Sequence, residues 1–138
     1  MEYTPYLHRV QYYETDQMAV AHHSNYIRWL EEARTDLLTQ NGISYKAMEE
    51  QGIIMPVVDI SCRYLISARY DDVMEIIPTM SLYNGVRMQF TYEIRFQKDG
   101  KVAATALSTH CFIGEDRKPM ALQKKDPALH QKLLSLAK

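Results

Sequence analysis

The segment VRMQFTYEIRF, residues 86–96, alternates apolar and polar side chains without a break. Val86, Met88, Phe90, Tyr92, Ile94 and Phe96 fall on one side of an extended chain. Arg87, Gln89, Thr91, Glu93 and Arg95 fall on the other. A period of two sustained this long requires a β-strand with one face buried and one in water. Asn84-Gly85 precedes it and Asp99-Gly100 follows it, both suited to tight turns between antiparallel strands. The segment is therefore the middle member of two hairpins, with residues 74–83 before it and 101–113 after it. Pro78 interrupts 74–83 and marks a bulge or an edge. Val58, Ile60, Cys62, Tyr64 and Ile66 alternate in a further strand, and residues 5–12 form a short first strand.

A sheet with one apolar face needs a cover. Tyr26, Leu30, Ala33 and Leu37 recur at helical spacing, and Ile27 and Leu38 widen the stripe. Arg28, Glu31, Glu32, Thr35 and Asp36 lie off that line. Ser24 is the expected N-cap, and Asn41-Gly42 the expected stop. Residues 44–51 add a short second helix, and Leu129, Leu133, Leu134 and Leu136 form a C-terminal amphipathic one. The expected order is strand, long helix, then four strands joined by hairpins: an α+β domain whose antiparallel sheet wraps the helix. The chain has 138 residues without repeat, low-complexity run or linker, so residues 1–138 form a single domain.

The net charge of −1 offers no basic field for nucleic acid or an anionic membrane. The start, MEYTPYLHRVQYY, lacks the cationic and apolar parts of a signal peptide, and no apolar run approaches the ~20 residues that span a bilayer. Cys62 and Cys111 show no metal-ligand spacing and are expected to be small buried hydrophobes of a cytoplasmic protein.

Between the first strand and the long helix lies YETDQMAVAHHSNY. Arg9-Val10, Thr15-Asp16, a small residue at Ala19, His23, Asn25-Tyr26, and Glu31, Glu32, Ala33 and Arg34 on the helix together resemble the 4-hydroxybenzoyl-CoA thioesterase family. The likeness is to its YbgC-like acyl-CoA thioesterase branch, and RYLISARYDDVMEI continues it at the level of fold. Two positions depart from that pattern. Ala19 stands where the family usually has Gly, so the loop is expected to forgo a positive φ, and Ser67 stands where a proline is frequent. The resemblance implies a hotdog fold, assembly into homodimers or homotetramers, and an active site between subunits.

Thioester hydrolysis needs an activated water or an attacking carboxylate, and a donor for the developing oxyanion. The resemblance assigns Asp16 as general base or nucleophile, and the His23 and Ser24 amides at the helix start as oxyanion donors. On the residues alone, Thr15-Asp16 equally makes an Asx turn. The His23 imidazole orients the thioester or packs at the helix start. Tyr12 lines the substrate pocket or, the stronger reading, belongs to the core. Ser24 and Asn25 stand on the substrate side, His22 is a bystander, and Glu31 and Arg34 form structural pairs. Adjacent histidines seldom face one ion and no further ligand spacing appears, so no metal is expected. No cofactor is expected either, because coenzyme A is part of the substrate. Arg63, Arg69, Arg87, Arg95 and Lys98 are the cations available to its phosphates.

The leading function is hydrolysis of acyl-CoA to free acid and CoA. Acyl carrier protein thioesters share the scissile bond and the pantetheine arm. A hydratase would need an Asp–His motif absent here, and a non-catalytic acyl-thioester-binding module is the alternative of another class.

Overall fold

The structure, a computed structural model, describes residues 3–137. Strand β1 (Tyr6–Arg9) is followed by a 3-10 turn at Tyr12–Glu14, then by helices α1 (His23–Gln40) and α2 (Tyr45–Glu50). Strands β2 (Val57–Tyr64), β3 (Val73–Tyr83), β4 (Arg87–Phe96) and β5 (Val102–Cys111) come next, and α3 (Leu122–Lys125) and α4 (Pro127–Leu136) close the chain. The first strand is thus shorter than expected, because the chain turns at Tyr12.

All pairings are antiparallel, in the order β1-β3-β4-β5-β2. The β3–β4 and β4–β5 hairpins form at Asn84-Gly85 and Asp99-Gly100, where both glycines take positive φ. The expected hairpin between β2 and β3 does not form: β2 pairs with β5 at the opposite edge. Its inward residues Ile60, Cys62 and Tyr64 then stand beside Ser108, Ala106 and Ala104, extending the apolar face that β5 begins. Pro78 fits both alternatives raised for it. β1 ends at Tyr6 opposite Ile76, leaving Pro78 without a neighbour on that side, and a register shift follows at Met80/Leu82.

Helix α1 touches β3 and both edge strands, β1 and β2, so the sheet curls around it. Tyr26, Leu30, Ala33, Leu37 and Leu38 are buried against the inward residues Met88, Phe90, Tyr92, Ile94 and Phe96 in one core. Trp29, which the stripe omitted, is fully buried as well. Burying each large apolar side chain contributes about 1.5–3 kcal/mol. At the C-terminus, Asp126 caps α4 by accepting from the Leu129 amide, while Leu129, Leu133 and Leu136 are buried. Cys62 and Cys111 are half-buried free thiols rather than fully buried ones. Among the described residues no helix is long and apolar enough to cross a membrane.

The core also holds a polar chain. Arg34, 5% exposed, donates through Nη1 to the Tyr92 hydroxyl at 2.9 Å. Tyr92 Oη lies 2.6 Å from Ser108 Oγ, which lies 2.8 Å from His110 Nε2. Glu31 is exposed, and among the described residues Arg34 has no carboxylate partner within the chain, so of the pairings expected within or between subunits the first does not form. Burial and the nearby Arg34 charge push His110 down to about 4 from an ordinary 6.5. His110 is therefore neutral when folded but takes up a proton when unfolded between those values. Stability should be fully present above pH 6.5 and fall as the pH drops toward 4, by about 2 kcal/mol between pH 7 and pH 5. Urea unfolding at the two pH values should show this loss, and His110→Gln should remove most of it.

Candidate active site

The loop between the 3-10 turn and α1 is closed at its base by an isolated Thr15–Ala21 bridge. Within it the Asp16 amide donates to the Val20 carbonyl at 3.1 Å, and the Ala19 amide to the Asp16 carbonyl at 2.9 Å. Asp16 Oδ1 accepts from the Met18 amide at 2.8 Å, an Asx-type turn. Asp16 is exposed, and its second oxygen accepts no hydrogen bond among the described residues. One oxygen thus orients the carboxylate while the other is free for chemistry.

Ala19 takes φ 62°. The loop therefore keeps the left-handed turn that the substitution of glycine was expected to remove, and Ala19 bears the strain. This costs roughly 1–2 kcal/mol for a residue with a Cβ.

Helix α1 begins two residues earlier than a Ser24 cap would place it, and its cap is His22 rather than Ser24. His22 Nδ1 accepts from the Ser24 amide at 3.2 Å and lies 2.9 Å from Ser24 Oγ. Ring geometry supports the exchange: a neutral imidazole nitrogen accepts as a serine oxygen would. The capping bond occupies the Ser24 amide, whereas the His23 amide donates to no acceptor among the described residues. Of the two amides proposed from the sequence, His23 N–H is the one open to a ligand at the positive end of an 18-residue helix. The exposed His23 ring stacks on His22 at 4.2 Å and meets Tyr64 edge-on at 6.1 Å.

Tyr12 is not a core residue. It is 78% exposed, its ring edge-on to Tyr70 at 5.7 Å. Asn25 is buried, and its side-chain amide donates to the Glu14 carbonyl at 2.9 Å, tying the helix to the loop.

Glu14 is the residue that sequence reasoning missed. Only 5% exposed, its carboxylate accepts 2.8 Å hydrogen bonds from the Gln11 amide, His8 Nε2 and Trp29 Nε1. Burial alone would raise this carboxyl, but the bonds from Gln11, His8 and Trp29 and the attraction of His8 outweigh it and hold it below 4.5. A usable signal existed: a buried tryptophan N–H needs an acceptor, and Trp29 is the only tryptophan. Nothing local points to Glu14 as that acceptor.

Around the loop and helix start, Met18, Tyr64, Leu65, Ile66 and Tyr70 are each at least 45% exposed, and Val57 and Val58 at the far end of β2 are 48% exposed. The Ala21 amide donates to the Ala68 carbonyl at 2.7 Å, so the segment after β2 is fastened to the Asp16 loop. Tyr64 Oη donates to the His23 carbonyl, joining β2 to the helix start. Asp16, His23, Tyr12 and the inner face of β2 therefore share one side of the molecule. Arg63 and Arg69 are exposed in the same stretch of chain.

This arrangement, an antiparallel sheet curled on one long helix with a carboxylate loop at the helix start, is that of the hotdog thioesterases. The pattern of the thioesterase-like superfamily matches residues 10–133. The putative acyl-CoA thioesterase YneP of Bacillus subtilis (strain 168) is 35% identical over 122 residues, covering 88% of this chain and 88% of that protein. The acyl-CoA thioester hydrolase YbgC of Escherichia coli O157:H7 is 28% identical over 116 residues, covering 84% of this chain and 87% of the relative. The crystal structure of a DHNA-CoA thioesterase from Staphylococcus aureus superposes with a TM-score of 0.90 at 35% identity, covering 94% of this chain and 87% of that one. The chain belongs to the thioesterase-like superfamily, in its YbgC-like branch of hotdog thioester hydrolases.

The strain at Ala19 gives a direct check. Ala19→Gly should raise stability by about 1 kcal/mol in urea unfolding without loss of turnover, since the loop already follows the path glycine prefers.

Proposed function

We propose that this protein hydrolyses acyl-CoA thioesters, with Asp16 as general base and the His23 amide as oxyanion donor. The observation that carries the reading is the pairing of a solvent-facing carboxylate oxygen with a free helix-terminal N–H on the two arms of one closed loop. Asp16 takes a proton from water, whose oxygen attacks the thioester carbon. The carbonyl oxygen gains charge and accepts from His23 N–H. The tetrahedral intermediate then collapses, the C–S bond breaks, and the CoA thiolate leaves and is protonated. One oxyanion N–H is worth about 10²–10³ in rate, and a placed base about 10²–10⁴. Direct attack by Asp16 on the carbonyl would use the same residue, so one variant removes either role. The substrate class is supported by the names of YneP and YbgC. The side chains of Ser24 and Tyr12, both exposed, are the nearest candidates for contact with the substrate.

CoA release from a panel of short, long and aromatic acyl-CoAs tests this. Wild type should turn over at least one, and Asp16→Asn, still folded, should lose about 10²–10⁴ of that rate. Wild-type turnover by Asp16→Asn would sink the assignment of Asp16.

The working unit we propose is a homodimer. The outer edge of β2 has no strand partner among the described residues, and Val57, Val58, Tyr64, Leu65 and Ile66 beside it are half-exposed. A second copy laid antiparallel along β2 would pair that edge and cover this apolar surface. Light scattering should give at least twice the chain mass. Val58→Asp should shift it toward the single chain and lower turnover.

A further inference from the structure

We propose that Glu14 is a positioning residue for the hydrolytic reaction, fixing the Asp16 carboxylate and the His23 N–H relative to one another. This inference rests on the reading of Asp16 as the base. Glu14 lies two positions before Asp16, and its side chain reaches away from the site into the core. There Oε1 accepts from the Gln11 amide and from His8 of β1, while Oε2 accepts from Trp29, in the body of α1. Its main chain works in the other direction. The Glu14 carbonyl accepts from the His22 amide at 2.8 Å and from Asn25 Nδ2 at 2.9 Å, at the residue preceding His23 and two residues after it. Base and oxyanion donor thus hang from one residue through short stretches of backbone.

The Asp16–Val20 bond also joins the two arms, but three residues before His23; Ala19–Asp16 shapes the loop tip, and Ala21–Ala68 ties the loop to the segment after β2. Among the described residues, the Glu14 carbonyl bonds are the ones that link the arm carrying Asp16 directly to the cap and first turn of the helix. Reaction geometry is sensitive to displacements of about 1 Å, which can cost ~100-fold in rate.

The chemistry also requires a carboxylate at this position. Gln11 N–H, Trp29 Nε1–H and the His8 Nε2 facing the carboxylate are all donors. An ionised carboxylate accepts from all of them. A glutamine has one oxygen and an NH₂ group, so one donor would meet a donor and the residue would shift.

The test compares Glu14→Gln and Trp29→Phe with wild type and Asp16→Asn. All are assayed on the acyl-CoA that wild type turns over best, well below each variant's unfolding temperature and normalised to folded protein by far-UV circular dichroism. Trp29→Phe keeps an aromatic ring in the core and removes the hydrogen bond to Glu14; the smaller ring also lowers stability, which is why kcat is read per folded chain. A positioning role predicts a kcat lower by about ten- to a hundredfold in Glu14→Gln, with KM changed less than about threefold, and a smaller fall of the same kind in Trp29→Phe. A purely structural role would lower the unfolding temperature and leave kcat per folded chain at the wild-type value. That result in both variants, with Asp16→Asn inactive, overturns the positioning role alone. Wild-type turnover in Asp16→Asn overturns the base assignment, and this inference with it. Should Glu14→Gln fail to fold, Trp29→Phe decides the question.

Discussion

A single buried carboxylate holds the functional end of this molecule together. The Glu14 carboxylate accepts hydrogen bonds from a strand, a 3-10 turn and the long helix, and so adds direction where these elements also meet through apolar contact. Apolar contact is non-directional: it fixes that surfaces meet, not where along them. Three donors converging on one group add the missing direction. Leaving any of them unpaired in the interior would cost about 1–3 kcal/mol, so alternative placements of the turn on the helix are disfavoured. The ring of His8 packs 4.8 Å from Trp29, so both side-chain donors to Glu14 also brace one another.

The second buried polar system works differently. Arg34, Tyr92, Ser108 and His110 run from α1 across β4 to β5, and among the described residues Arg34 Nε and His110 Nδ1 have no hydrogen-bond partner. Burial works against the Arg34 charge, but the hydroxyls of Tyr92 and Tyr45 keep it firmly protonated. His110 is correspondingly held neutral beside it. A buried cation without a carboxylate contributes little to stability. What it does contribute is register: sliding α1 by a turn along the sheet would strand the guanidinium among Phe90, Ile94 and Met88. The two systems sit at different depths of the same helix, one fixing its start and one its middle.

Local pattern made much of this legible. The alternation through 86–96, the Asn-Gly and Asp-Gly turns and the Tyr26-Leu30-Ala33-Leu37 stripe each depend on residues close in sequence, and the structure contains them all. The place of β2 was not legible, because its partner β5 lies some forty residues away and the alternation of Ile60, Cys62 and Tyr64 fits either edge of the sheet. Trp29 was left out of the stripe although it stands three residues after Tyr26 and four before Ala33, where helical spacing places it on the buried face. Glu14 was missed, and the hydroxyl partner of Arg34 was not foreseen, for a shared reason. A charged residue reads as solvated until the partner that justifies its burial is known, and those partners are distant in sequence. The loop at Ala19 shows the converse: substitution altered the strain, not the path, because the bonds at Asp16, Val20 and Ala21 determine the turn. Asp16 and His23 were identifiable because both stand in one short motif, whereas the working difference between the His23 and Ser24 amides appears only once His22 is seen to cap the helix.

The groups proposed to react, Asp16 and the His23 N–H, are tied down by backbone hydrogen bonds and yet stand in water, and these two features point in opposite directions. An N–H at a helix start stabilises an oxyanion strongly only where the local dielectric is low. In a single chain His23 and Asp16 are exposed, and water competes for both. The same side of the molecule carries the half-exposed apolar residues of β2 and of the segment after it, which water disfavours as strongly as it favours the charged groups. Covering that surface answers both problems at once: apolar area leaves water, and the oxyanion donor moves into a medium where its dipole counts. On the proposed reading, the fold sets Asp16 and His23 within one chain, tied through Glu14, and leaves their drying to the copy that closes over β2.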